Sequence, residues 1–119
     1  MTTLSLKKTT SAWIITILVL FIIAISFGIT MRFNQGRDIN LNPDTFYSIM
    51  TVHGVTMIGI WSCAGMMAVN YLLSRYVKTS VKLNVFAYAF TVVGVLMIWA
   101  STLIGKFHAG WTFLYPLPF

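Results

Sequence analysis

Acidic residues are nearly absent from this chain of 119 residues, where Asp38 and Asp44 stand against eight Lys plus Arg. Charged residues of either sign make up 8%, whereas a soluble domain carries roughly 25%. That is too little charge to coat a globule in water, which excludes an ordinary water-soluble enzyme and a disordered chain. One cysteine, Cys63, excludes an internal disulfide and says nothing about redox compartment. With only two histidines beside it, it cannot complete a four-ligand zinc site. The cations are separated by long apolar runs, so a pI near 9.8 draws no phosphate-tracking stripe, and nucleic acid is disfavoured as a partner.

Hydrophobic residues are abundant, at 58% and a mean hydropathy of +0.84. Three stretches, 12–31, 46–73 and 85–104, contain no Asp, Glu, Lys or Arg. Each reaches the roughly 20 residues that cross a ~30 Å hydrocarbon core as a helix. The second is long enough to tilt or protrude. The expected fold is all-α: an integral membrane protein of three transmembrane helices forming a single membrane domain over 1–119. Between the first two spans lies a polar, turn-rich connector in which Pro43-Asp44-Thr45 can open the second helix. The second connector, 74–84, is basic, with Arg75, Lys78 and Lys82. Placing the N-terminus inside puts five cations in inner segments (Lys7, Lys8, Arg75, Lys78, Lys82) and three outside (Arg32, Arg37, Lys106), which favours N-terminus in and C-terminus out. Lys7 and Lys8 before an apolar run ending Ala24-Ile25-Ser26 also fit a signal-peptide pattern; the segment is read as a retained first helix.

His53 is the residue that points to chemistry. It lies about seven residues into the second span, roughly 10 Å below the outer surface. Ionisable residues at such depth face a bundle interior or a cofactor, and neutral imidazole is a good ligand for haem iron. Gly54 beside it permits close approach of a flat macrocycle or another helix. Alternatively, a lone membrane histidine hydrogen-bonds a carbonyl on a neighbouring helix. A six-coordinate haem also needs a second axial ligand, from a methionine or from another chain. Met50 and Met57 flank His53 at helical spacing and read as apolar filler. Cys63 reads as a packing residue, as do Trp61, Gly65 and Ala68 at helical spacing. Trp13 and Trp99 read as anchors or filler, His108 as a solvated interfacial residue, and Tyr88 as a residue outside any proton path. Thr56, Ser62, Asn70, Thr91 and Ser101 would partly face lipid in a free three-helix unit, which suggests a partner.

The stretch Tyr47-Ser48-Ile49-Met50-Thr51-Val52-His53-Gly54-Val55-Thr56-Met57 resembles the second transmembrane helix of haem–copper oxidase subunit I. After the third span, Gly110-Trp111-Thr112-Phe113-Leu114-Tyr115-Pro116 resembles that family's Gly-Trp-Thr-x-Tyr-Pro-Pro run, with one residue inserted and the second proline displaced to Pro118. The resemblance covers nearly the whole chain. It implies that His53 is an axial ligand of the low-spin haem, of b or a type, and that Arg32 lies near that haem; the competing reading of Arg32 is a snorkelling interfacial arginine. The inner connector lacks the Asp and the Pro-Arg-x-Asn-Asn run of the main oxidase group, so the pattern is closer to the divergent, B-type oxidases.

Family catalytic subunits have about a dozen spans. The resemblance therefore implies a split N-terminal piece that cannot reduce oxygen alone. A larger membrane subunit would carry the remaining helices, the high-spin haem, copper and the second low-spin ligand. A copper- or haem-bearing electron-entry subunit would relay electrons from cytochrome c, another small redox protein or quinol. The expected location is a prokaryotic cytoplasmic membrane or the inner mitochondrial membrane. A nitric-oxide-reducing variant of this architecture, a cofactor-free scaffold subunit and a small haem-b anchor of another respiratory enzyme are the alternatives.

Overall fold

The computed structural model describes residues 3–107. His108 and the run from Gly110 to Pro118 lie outside the described residues. Those that are described form α1 (Thr3–Gln35), α2 (Pro43–Leu73) and α3 (Val81–Trp99), the last continuing into a π-turn (Ala100–Ile104). Three segments, Leu6–Gln35, Pro43–Leu73 and Val81–Ile104, are long and apolar enough to cross a membrane. The protein is thus an all-helical integral membrane protein.

The helices are longer than the apolar runs because their polar ends continue in helical hydrogen bonding. α2 opens where its sequence suggests. Asn42 is the N-cap, its side chain accepting from the Thr45 amide at 2.8 Å, with Pro43 in the first turn and Asp44 beside it. Ser80 caps α3. α1 ends in a paired closure: the Asp38 amide donates to the Phe33 carbonyl at 3.0 Å and the Arg37 amide to the Asn34 carbonyl at 3.2 Å. In this closure the left-handed position falls to Arg37 (φ 68°) and not to the neighbouring Gly36. The π-turn is closed by the Gly105 amide donating to the Ala100 carbonyl at 3.2 Å.

Packing is uneven. α1 and α2 meet through small and β-branched side chains, with Ala24 and Val52 fully buried and Ser48 1% exposed. Such residues let two backbones approach closely, which is what holds helices together where lipid is as apolar as leucine. α3 is tied to α1 near their common end by Trp13 Nε1 donating to Asn84 Oδ1 (3.3 Å) and by a Thr16–Tyr88 hydroxyl pair at 2.7 Å. At the far end it reaches α2, where Trp99 Nε1 donates to Thr56 Oγ1 at 2.9 Å.

Several expectations need correction here. Trp13 and Trp99 are not anchors or filler; their indole N–H groups are the donors that bind α3 to the other helices. Among the described residues Trp61, Gly65 and Ala68 are exposed, with Trp61 77% exposed and Gly65 at the edge of a groove. Of the polar residues expected to face lipid, Thr56 is buried against Trp99, and Ser62, Thr91 and Ser101 donate to carbonyls of the preceding turn. These hydroxyls are satisfied within their own helices and do not by themselves call for a partner.

Candidate functional site

His53 projects from α2 toward α1. Its Nδ1 lies 2.7 Å from the Ala24 carbonyl oxygen. A carbonyl can only accept, so Nδ1 carries the proton and donates. In the neutral ring that leaves Nε2 as the nitrogen with the lone pair. An α-helical carbonyl already accepts from the amide four residues on, so the imidazole uses its second acceptor site. The helix starts at Pro43, which places His53 ten residues in, about 15 Å along the axis.

The ring sits this close to α1 because of Gly28. A Cβ there would lie 2.9 Å from His53 Cε1 and 3.4 Å from Nδ1. Any side chain at 28 would push the imidazole off its carbonyl partner. Gly54, singled out from the sequence for close approach, is half-buried next to His53; the glycine that meets the ring comes from the other helix.

Beside the ring opens a groove of about 750 Å³ between the halves of α1 and α2 nearest their connector. Ile25, Ile29, Phe46 and Met50 give it apolar walls, and Arg32 and Asp38 lie toward the connector between these helices. Its volume is in the range of cofactor and drug-sized sites. Arg32 is exposed and donates to Gln35 Oε1 at 3.1 Å. His53, Arg32 and Met50 therefore line one groove, whereas Gly54 and Met57 are not among its lining residues. Cys63 lies lower, facing α3 rather than this groove. Among the described residues no cluster of three or more His, Cys, Asp or Glu could hold a metal ion, so metal ligation by this chain alone rests on a single imidazole.

Sequence reasoning missed Ala24 and Gly28. The signal was present: Ala24, Gly28 and Arg32 recur at intervals of four, so one face of α1 presents small, small, then cationic.

Three apolar helices and a half-buried imidazole held beside an open groove define, among the described residues, a membrane protein whose histidine is positioned by a neighbouring helix. The family model described as cytochrome c and quinol oxidase polypeptide I matches residues 8–118. Cytochrome c oxidase subunit 1 of Synechocystis sp. is 31% identical over 112 residues, covering 88% of this chain and 20% of that protein. No solved structure matches significantly. The chain belongs to the family of cytochrome c and quinol oxidase subunit I, as the Tyr47–Met57 stretch and the run after the third span suggested. It spans about one fifth of the length of the curated relative it matches.

Proposed function

We propose that this chain is the three-helix, haem-ligating part of a haem–copper oxidase catalytic subunit, with His53 Nε2 as one axial ligand of a low-spin haem. The observation that carries this is the seat of the ring: Nδ1–H donates to the Ala24 carbonyl, and Gly28 vacates the space the ring needs. A donated Nδ1–H fixes the tautomer and ring plane and raises the basicity of Nε2, the usual support for a ligating histidine. A purely structural histidine would make the same bond. The adjoining groove and the glycine cradle favour the ligand, because a histidine needed only for a hydrogen bond requires no open volume beside it.

When bound, a haem supplies a one-electron iron couple. The chain's own residues would orient it: His53 would hold the iron, and Ile25, Ile29, Phe46 and Met50 would give it apolar walls. Arg32, at the groove's connector end, supplies a cation toward a haem propionate. The remaining ligands and metal centres would be supplied by other helices of the assembly, to which oxygen reduction would belong. The cation distribution favours placing the α1–α2 connector on the outer side, toward an electron donor, and the basic α2–α3 connector on the inner side.

The test is a pyridine haemochrome count on the purified complex, wild type against His53→Ala. Loss of one low-spin haem per complex is expected. An unchanged count with an unchanged low-spin absorption band would leave His53 a structural residue and the chain a scaffold. Sequencing the co-purifying chains identifies the helices that carry the other ligands.

A further inference from the structure

Between α2 and α3, at the end that bears the basic connector, lies a second groove. It holds about 520 Å³ and is lined by Cys63, Asn70 and Leu73 of α2, Asn84 and Thr91 of α3, and Trp13 of α1. A smaller cavity of about 100 Å³ continues it past Cys63 and Thr91 as far as Thr56 and Trp99. Most of the lining is apolar, and its amide groups, Asn70 and Asn84, belong to the end nearest the connector. From Leu73 to Cys63 is ten residues, about 15 Å of helix, and one leaflet of a ~30 Å hydrocarbon core is the same depth.

The connector at this end of the groove is strongly basic. Arg75 follows Leu73 by two residues, Lys82 precedes Asn84 by two, and Lys78 lies between; all three are exposed. Arg75 is steadied by Tyr71, donating to its hydroxyl at 2.9 Å with the guanidinium 5.2 Å from the ring centroid. Lys7 and Lys8 begin α1 at the same end of the bundle. From residue 45 to the C-terminus the sequence contains no Asp or Glu, so no carboxylate of these helices can neutralise the mouth.

We infer that the α2–α3 groove is a binding site for one anionic phospholipid, its phosphate at Arg75, Lys78 and Lys82 and one acyl chain between Asn70/Asn84 and Cys63/Thr91. Apolar walls of one leaflet's depth, amides at interfacial level and unopposed cations at the mouth match the parts of such a lipid in order. Basic pockets between helices at an inner membrane surface bind anionic headgroups in this way. A zwitterionic lipid offers the same chain but no net charge to the mouth. The site is independent of the haem reading, since it shares no residue with the His53 groove.

The test uses the chain purified with its associated subunits and reconstituted into phosphatidylcholine nanodiscs. These contain a minor fraction of either phosphatidylglycerol or phosphatidylcholine bearing a photoreactive group on one acyl chain, and labelled positions are mapped by mass spectrometry. Labelling at Cys63, Ala87 and Thr91 should be about tenfold higher from phosphatidylglycerol, which is within what three cations at a membrane surface supply. R75Q/K78Q/K82Q should bring it down to the phosphatidylcholine level, and K78R/K82R should preserve it. Ala87→Phe, which adds bulk to the groove wall and leaves the cations, should abolish groove labelling while low-spin haem absorbance and helix content stay unchanged. Equal labelling by the two lipids would overturn the proposal. So would no groove labelling at all in the wild type, the outcome if a protein helix fills the gap.

Discussion

Gly28 and Gly65 are the same residue on two membrane helices, and they sit in opposite surroundings. A Cβ at 28 would strike the His53 ring at 2.9 Å, whereas one at 65 would meet nothing within 4 Å. Gly28 belongs to the half nearest the α1–α2 connector, where α1 and α2 close on each other around Ala24, Ser48 and Val52. Gly65 belongs to the half nearest the α2–α3 connector, where a groove lies between α2 and α3. The close approach of Gly28 to the imidazole makes that seam intolerant of added volume, although a groove opens beside the ring. The other half is held by a few hydrogen bonds at its edges and has room to spare. A ligand that must keep one ring orientation needs the first kind of surroundings, because a packed interface has discrete arrangements and does not deform smoothly.

The largest contrast should come from adding volume. Gly28→Val is expected to displace His53 from the Ala24 carbonyl, at an overpacking cost of about 1–3 kcal/mol. Low-spin haem content of the purified complex should fall several-fold, while Gly65→Val leaves it unchanged. Equal effects of the two would erase the distinction between the halves. Removing volume should also act mainly on the half nearest the α1–α2 connector. Val52→Ala opens a void at a fully buried position and should lower stability in a denaturant titration by about 1–2 kcal/mol. Trp61→Ala, at an exposed position, should not disturb the packing of these three helices.

The hydrogen bonds at the edges are expected to matter less. A double-mutant cycle of Trp99→Phe with Thr56→Val should give a coupling near 0.6 kcal/mol, typical of interhelical hydrogen bonds in membranes. A coupling near zero would mean that the π-turn alone holds α3 to α2 there. Ser48 should reverse the sign. Its hydroxyl is buried without a hydrogen-bond partner among the described residues, so Ser48→Ala is expected to be neutral or to stabilise the α1–α2 interface by up to about 1 kcal/mol. A clear loss of stability in the same titration would show that the hydroxyl is used.

Much of this was legible in the sequence. The three uncharged runs gave three spans, since no other backbone satisfies itself in lipid except a closed barrel. Pro43-Asp44-Thr45 gave the start of α2, while the cap itself, Asn42, came from the structure. His53 stood out because an ionisable side chain at that depth is costly. Less legible were the tryptophans. An indole in an apolar run suits an interface, a packed core or a hydrogen bond to another helix equally well, and only the presence of Asn84 opposite Trp13 and Thr56 opposite Trp99 decides among these. The small-residue spacing of Ala24 and Gly28 was visible, but which helix it would face was not.

The order of residues alone determined that this chain lives in lipid as helices and that one imidazole lies deep within it, because hydropathy and helix period are properties of a single segment. Which carbonyl orients that imidazole, which glycine makes room for it, and where the helices separate were decided only in three dimensions. Those depend on contacts between segments 25 or more residues apart, and no local pattern specifies the partner.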